Sequence, residues 1–259
     1  MSVMSTRRYT KALLATALLI AAILIAPAPA QASTPQISGS ASIRFCVNLA
    51  LPGCKDVGKF SAGSVTMVCW KDQSSATGAY TSARWFWVTQ SNGKQGWAHS
   101  SWVTRQVTVP NCSGNRAVRI ATWAAETVGQ VNASRAVADY LWGAGSDPRW
   151  SGGCAGLASA SVKFGAGANP RYRDNARPMY DAYRRAGKMR SYSSTPTPGS
   201  VVFWPNSTSL GHAAVVVGNA GSGMVIATTM GYIGESKANA LQKVNYIGNP
   251  SGWVSAGDM

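Results

Sequence analysis

One cysteine and one histidine in the second half of the chain have the chemistry of a nucleophile and its base. Cys154 follows two glycines, and His212 opens the apolar run Ala213–Val217. A thiolate attacks carbonyl carbons, and an imidazole can remove the thiol proton and later return it to a leaving group. A thiol and an imidazole are the minimum equipment of a cysteine hydrolase.

The other four cysteines all lie in the first half of the chain, and their even number allows two disulfides. Three pairings are possible. Cys154 is then the odd thiol, which is a liability in an oxidising compartment and needs a reason to persist. The four cysteines are Cys46, Cys54, Cys69 and Cys112.

Apolar residues at helical spacing predict helices over 117–128 and 154–164, and a third is predicted near 176–186. The glycines before Cys154 place it in the first turn of the second helix. The positive end of a helix, like a neighbouring imidazolium, stabilises a thiolate. Backbone N–H groups at the same helix start can receive the oxyanion of an attacked amide.

After these helices the period of the pattern changes to that of strands. Runs at 200–204, 212–217 and 224–229 are separated by turn residues, including Pro198-Gly199. Helices followed by an antiparallel meander predict an α+β domain. The histidine would then come from a strand, and a third polar group should fix its tautomer.

The chain begins with an export signal over residues 1–32. A basic start is followed by the apolar run Leu13–Ile25, and Ala30-Gln31-Ala32 matches the cleavage rule, so the mature chain should begin near Ser33. We favour the general secretory route over the twin-arginine route. No later stretch approaches about 18 apolar residues, so no membrane span is expected in the mature form.

The formal net charge is +15, and removing the signal takes away three basic residues and no acid, which leaves +12. This charge predicts an anionic partner or environment. Nucleic acid is not expected, because the basic residues are scattered and no nucleic-acid-binding motif is present. The anionic polymers of a cell envelope remain, and an extracellular location associated with the cell wall is expected.

The mature length suits two domains, with a linker at 113–116. Residues 33–40 are expected to be a flexible N-terminus. Residues 41–112 hold short β-prone runs at 42–45, 64–68, 85–88 and 96–99, with a hairpin signal at Asn92-Gly93. Such a pattern without helices predicts a small all-β barrel or sandwich.

This first domain resembles the bacterial SH3-like (SH3b) family. The resemblance depends on Ile43-Arg44, on 57–60 followed by Gly63, on 85–88, and above all on the closing run 96–103. It implies a wall-binding module that tethers a secreted hydrolase to peptidoglycan. Trp85, Trp87, Trp97 and Trp102 are candidates for a binding surface, although some must fill the core of so small a barrel.

Within such a barrel we prefer the pairing Cys46–Cys54, which closes a short loop, with Cys69–Cys112, which ties the exit of the last strand to the middle of the barrel. Small exported domains commonly need such staples. A metal site is the alternative, but the cysteines lack CxxC spacing, so we expect no metal and no other cofactor.

The second domain, 117–259, resembles the NlpC/P60 family of papain-like peptidoglycan hydrolases, and shares features with the related CHAP amidases. The matching segments are 140–145, 153–157, 198–204 and 211–219. The resemblance implies a papain-like fold with its N-terminal helices packed on an antiparallel sheet. Two departures are that Gly153 and Ala155 stand where the NlpC/P60 nucleophile typically has Asp before it and Ser after it.

By this resemblance Cys154 is the nucleophile and His212 the base that later protonates the leaving amine. Tyr140 matches a family tyrosine whose hydroxyl faces the site. Trp142 and Trp204, within the matching segments, are expected to contact the substrate. These roles imply acyl-enzyme chemistry.

The third catalytic group is the open point. The NlpC/P60 alignment places Ala227 there and the CHAP alignment places Thr229. Both positions share one face of a regular strand, so Thr229 is our candidate for orienting the imidazole. Thr228 would point to the other face unless a bulge intervenes. An orienting water or backbone carbonyl is a further alternative.

The sequence therefore predicts a secreted, monomeric cell-wall hydrolase that cleaves an amide bond in peptidoglycan stem peptides. The bond between D-glutamate and the diamino acid is the default within the family, and the bond between muramic acid and L-alanine is the CHAP-type alternative. A non-catalytic envelope-binding protein, and a papain-like acyltransferase or toxin, are the competing hypotheses.

Overall fold

The structure is a computed structural model that describes residues 33–128, 153–172, 175–207, 209–221, 223–229, 239–243 and 250–259. For Thr229 and residues 239–243 it describes the backbone. In the part of the chain so described, no helix has the length and apolar character needed to cross a lipid bilayer.

Alternating side chains shape the first half of the chain, where every second residue from Val65 to Cys69 of the longest strand is buried. In that strand Val65, Met67 and Cys69 point inward, while the residues between them are more exposed. The hairpin formed by Thr81–Gln90 and Gln95–His99 has Gly93 at its turn, with φ of 84°, at the site of the predicted Asn92-Gly93 signal. The strands are β1 Gln36–Ile37, β2 Ser42–Ile43, β3 Gly58–Lys59, β4 Gly63–Thr77, β5 Thr81–Gln90, β6 Gln95–His99 and β7 Val103–Thr104.

The second half begins with a capped helix. The Asn115 side chain accepts a hydrogen bond from the N–H of Val118, which satisfies a donor that the first turn would otherwise leave unpaired. Near its end the second helix widens into a π-helical segment, Ser161–Gly165. The helices are α1 Arg116–Thr127, α2 Gly153–Ala160 and α3 Ala176–Arg185, and the strands are β8 Val201–Trp204, β9 His212–Asn219, β10 Met224–Thr229, β11 Asn239–Lys243 and β12 Gly252–Val254.

Strand β9 is covered on both faces, which explains its unbroken apolar sequence. On one face Ala213, Val215 and Val217 belong to the same buried cluster as Ala155 and Leu157 of helix α2. On the other, Ala214 and Val216 pack in a cluster with Val202, Trp204, Ile226 and Trp253. Since successive strand residues alternate between faces, His212 lies on the same side as Ala214.

The two halves share one antiparallel sheet. Among the described strands its order is β11-β10-β9-β6-β5-β4-β1-β7, with β8 beside β9 and β12 beside β8. The junction is the contact of β6 with β9, where Gln95 pairs with Asn219. Residues 34–259 form one compact unit with a common buried cluster. Independent folding of the two predicted domains stays a prediction.

Two boundaries differ from the expectation. Gln36 and Ile37, expected in a flexible N-terminus, form β1 between β4 and β7, and Ile37 is buried because it completes the core there. The expected linker at 113–116 is a short connection: a 3₁₀ turn covers Cys112–Gly114, and helix α1 begins at Arg116.

The four early cysteines form the preferred pairs. Cys46 is bonded to Cys54 across 8 residues of sequence, and Cys69 to Cys112 across 43. The second bridge ties the 3₁₀ turn before α1 to the middle of β4 and is buried with Val118 and Ala121 of α1.

Three of the four tryptophans considered for a binding surface are core residues. Trp85, Trp87 and Trp97 are buried, whereas Trp102 is partly exposed. Trp87 and Trp97 meet edge to face with ring centroids 5.5 Å apart. The three buried rings share a cluster with Val118 and Ala121 of α1, so this helix covers them.

A close approach of backbones fixes helix α1 against the sheet. Gly199, in the turn before β8, has φ of +81°, and a Cβ atom there would lie 2.3 Å from the carbonyl oxygen of Ala117. Only glycine combines that backbone conformation with that proximity.

Gly199→Ala should therefore lower the free energy of unfolding by about 2–4 kcal/mol, because it adds steric overlap to left-handed backbone strain. Gly187→Ala is the matched control: Gly187 has φ of +67° but nothing within 4 Å of the added atom. Urea unfolding of both variants measures the difference. Equal losses would show that the contact with Ala117 does not constrain the fold.

Candidate active site

The thiol of Cys154 lies in the first turn of α2, as the sequence predicts. Gly153, which precedes it, has φ of +53°, in the left-handed region that side chains with a Cβ rarely adopt. This backbone conformation accounts for glycine at a position where NlpC/P60 hydrolases typically carry Asp. Glycine at position 153 therefore has a conformational cause, and Cys154 keeps its place in the first turn of α2.

The imidazole of His212 is held by a hydroxyl. The Nε2 atom of His212 is 2.9 Å from the Oγ1 atom of Thr228, and that hydroxyl donates to the backbone carbonyl of Ala213 at 3.0 Å. Since the hydroxyl proton goes to the carbonyl, the oxygen accepts from Nε2–H of the ring. His212 thus carries its proton on Nε2, and Nδ1 is the nitrogen that can act as a base.

A β-bulge makes this contact possible. In the pairing of β9 with β10, Val225 lies opposite Gly218, but the next residue, Ile226, lies opposite Val216. One residue of β9 is therefore passed over between these two pairs. A bulge of this kind reverses the faces on which all later residues of the partner strand lie.

The reversal brings Thr228 to the histidine. If the observed register continues by one residue, Thr228 lies opposite Ala214. Thr228 is therefore on the same face of the sheet as His212. An unbulged register would have put Thr229 there, which is the prediction from the sequence. The side chain of Thr229 lies outside the described part of the structure, so its own role stays a prediction.

Backbone N–H groups surround the thiol. Those of Ala213, Ala155 and Cys154 itself hydrogen-bond to the sulfur and lower its pKa, but burial has the larger effect, and the pKa of Cys154 is raised above its ordinary value. Because Ala213 directly follows His212, its N–H places the sulfur beside the strand residue next to the histidine. The start of α2 and the start of β9 therefore meet at this thiol.

Burial also lowers the pKa of His212 to about 4. The ring is 8% exposed, and the indole of Trp204, on the paired strand position, lies 5.7 Å away between ring centroids. Desolvation disfavours the charged form of each group. At neutral pH the resting site therefore holds a neutral thiol and a neutral imidazole, and proton transfer between them must accompany the attack on a substrate.

The same backbone N–H groups are suited to a second task. Those of Cys154 and Ala155 lie at the positive end of α2. Groups of this kind stabilise the negative charge that develops on a carbonyl oxygen under attack. The site thus brings together a helix-start thiol, an imidazole held by a hydroxyl, and backbone N–H donors.

The structure describes only one of the three other predicted site residues, Trp204. Tyr140 and Trp142 lie outside the described residues. Trp204 is buried, 4% exposed, and packs beside His212, so in this state it supports the ring, and its predicted contact with substrate stays a prediction. Within the described residues, no cluster of three or more His, Cys, Asp or Glu side chains could hold a metal ion.

Comparison with known families agrees with this geometry. Residues 142–231, about a third of the chain, match the family model of the CHAP domain. That range contains Cys154, His212 and Thr228. CHAP domains are typically cysteine- and histidine-dependent amidases or peptidases of peptidoglycan, so the match supports a CHAP-related peptidoglycan hydrolase. Searches of curated proteins and of solved structures gave no match.

The hydroxyl contact predicts a difference between two adjacent threonines. Thr228→Val removes the acceptor of Nε2–H and leaves a buried donor without its partner, so kcat/KM on peptidoglycan should fall about 10–100-fold. The nitrogen chemical shifts of the His212 ring should also lose the pure Nε2–H tautomer. Thr229→Val is the matched control and should leave both measurements near wild type. The opposite ranking of the two variants would return the orienting role to Thr229.

Burial of the neutral ring also predicts a pH dependence of stability. The unfolded chain takes up the His212 proton near the ordinary pKa of 6.5, whereas the folded chain takes it up only near 4. Stability is therefore complete above 6.5 and falls as pH drops to about 4, by on the order of 3 kcal/mol. Urea unfolding at several pH values should show a smaller fall for His212→Gln. An unchanged fall would mean that burial of His212 does not govern it.

Proposed function

We propose that the mature chain is a secreted cell-wall hydrolase that cleaves an amide bond in the stem peptides of peptidoglycan. The general class, a CHAP-related peptidoglycan hydrolase, is supported by the family match. The finer statement, an endopeptidase acting between D-glutamate and the diamino acid, is our proposal. The cysteine-hydrolase chemistry that both candidates below share is supported by one observation: the His212 ring is held by Thr228, and the N–H of the next residue, Ala213, contacts the sulfur of the helix-start Cys154.

The reaction proceeds through an acyl-enzyme. His212 Nδ1 takes the Cys154 proton as the sulfur attacks the amide carbonyl, and the N–H groups of Cys154 and Ala155 stabilise the tetrahedral oxyanion. The imidazolium then gives its proton to the leaving amine as the C–N bond breaks and a thioester remains. Water, deprotonated by His212, hydrolyses the thioester, and the sulfur recovers its proton.

The low pKa of His212 influences which step is difficult. A weakly basic imidazole is a poor acceptor of the proton from a thiol whose own pKa is raised. The charged pair becomes accessible when the substrate carbonyl supplies a partner for the developing charge. A weak base also becomes a strong acid once it is protonated, which favours expulsion of the amine.

A CHAP-type amidase is the second candidate. It would cut between muramic acid and L-alanine, and it is favoured by the family match, which names the CHAP domain. Both candidates use the same thiol and the same base. They differ in which amide reaches Cys154, and therefore in the mass of the products.

We also propose that the first half is an SH3-like wall-binding module and that the second has a papain-like arrangement. The strands of residues 36–104 and the packing of α2 on β9 support these assignments. The net charge of +12 expected for the mature chain complements the anionic polymers of a cell wall.

The decisive experiment is digestion of purified peptidoglycan under reducing conditions by the mature protein and by Cys154→Ala. Soluble fragments should appear with the first protein and be at least about 1000-fold slower with the second, since the covalent route is lost. Mass spectrometry of the fragments distinguishes the endopeptidase from the amidase.

Ser159→Ala, in the same helix, serves as a control for handling and folding, because Ser159 is buried but takes no part in the chemistry. Fragment release that is equal in Cys154→Ala and wild type would exclude this mechanism. Wall binding by both proteins without release would favour the non-catalytic envelope-binding protein.

A further inference from the structure

A second concave site lies where the two halves of the chain meet. It is a cavity of about 300 Å³, at the small end of the range for ligand pockets. We call it the junction pocket. Its floor includes Trp97 and the Cys69–Cys112 bridge at Cys112, which are buried, and its rim includes Lys71 from β4 and Trp123 from α1. Both halves of the chain therefore contribute to it.

One wall of the junction pocket is a pair of stacked aromatic rings. The rings of Trp123 and Phe164 are nearly parallel, at 25°, with centroids 5.5 Å apart. Phe164 is 39% exposed, one of few large apolar side chains with that exposure among the described residues. It lies in the π-helical segment Ser161–Gly165, and such segments are frequent at functional sites. The stacked pair presents a flat, partly wet apolar face.

The rest of the rim carries charges of both signs. Glu126 Oε1 lies 3.8 Å from Lys71 Nζ, and burial raises the pKa of the Glu126 carboxyl. Asn111 and Ser113 add amide and hydroxyl groups at the opening, and Arg119 adds a positive charge. An apolar ligand would cover Lys71 and Glu126 without replacing their hydration, which is costly.

A ligand that suits this lining must be apolar on one face and rich in donors and acceptors on its edge. A pyranose ring has both properties, since its C–H groups can lie on the electron-rich face of an aromatic ring while its hydroxyls and acetamido group make hydrogen bonds. The charges of Lys71 and Glu126 largely cancel, which suits a neutral sugar. Arg119 suits the carboxylates of the polymer to which that sugar belongs. We propose that the junction pocket binds an N-acetylhexosamine unit of a glycan strand.

The junction pocket is separate from the thiol. Cys154 lies at the start of α2, and Phe164 lies in the π-helical segment that continues it, ten positions later. At the helical rise this is roughly 15 Å along the axis. A sugar at Phe164 therefore leaves Cys154 accessible, and glycan binding can be measured apart from catalysis.

The inference rests on the proposed function only in naming the polymer, a peptidoglycan strand. The probe is a soluble β-1,4-linked oligomer of N-acetylglucosamine, which has no stem peptide and therefore none of the peptide-stem amide bonds proposed as the substrate of Cys154. Binding is followed by calorimetry and by quenching of tryptophan fluorescence in the full mature chain. Cys154→Ala should bind the oligomer as wild type does.

Phe164→Ala should weaken binding of the oligomer by roughly tenfold or more, because it removes the outer ring of the platform. Tyr80→Ala is the matched control, since Tyr80 is another exposed aromatic, 50% exposed, and lies outside the junction pocket; its affinity should be that of wild type. Lys71→Met, which alters the rim without touching the stacked rings, should give a smaller loss. Unchanged urea unfolding of Phe164→Ala establishes that the chain still folds.

Three results would overturn the inference. They are no binding of the oligomer to wild type, equal weakening of that binding by Phe164→Ala and Tyr80→Ala, or displacement of the bound oligomer by a free stem peptide. None of them bears on Cys154-dependent release of fragments. Conversely, oligomer binding that depends on Phe164 without any fragment release would uphold the junction pocket and refute the proposed hydrolase.

Discussion

The hydrogen-bond chain from His212 through Thr228 to the Ala213 carbonyl is the contact on which the site depends. It fixes which ring nitrogen carries the proton, and it adds a side-chain link between β9 and β10 to their ladder and their packing. The chain closes because the ladder is irregular: the shift between Val225 and Ile226 turns Thr228 toward the histidine. A sheet defect of one residue therefore determines the chemistry of the imidazole.

Burial shifts the pKa values of Cys154 and His212 in opposite directions, and each shift favours the neutral form of the group. It raises the pKa of Cys154 and lowers that of His212, so both are neutral at rest. The arrangement differs from a preformed thiolate–imidazolium pair, which requires solvent or fixed charges to stabilise both ions. Here the stabilising groups are backbone N–H donors, and they are most effective once negative charge has developed.

Local sequence patterns predicted most elements of the fold. Glycine punctuation, helical spacing and apolar runs located α1 to α3 and β8 to β10, and the odd cysteine located the candidate nucleophile at the start of α2. Strand β1 was missed because two residues carry no periodic signal, and its formation depends on pairing with distant β4 and β7. Thr228 was set aside in favour of Thr229 for a similar reason. A bulge depends on how two strands pair, and neither strand carries a recognisable motif for it. Two adjacent threonines near the expected third position were the available signal.

The buried thiol also has a consequence for the durability of the protein. Oxidants react with the thiolate far faster than with the protonated thiol, and access sets the rate further. Cys154 is partly covered at the start of α2 and, with its raised pKa, protonated at rest. In an oxidising setting, where no reducing system restores a sulfenic acid, a thiol kept protonated in this way reacts slowly with oxidants and so persists.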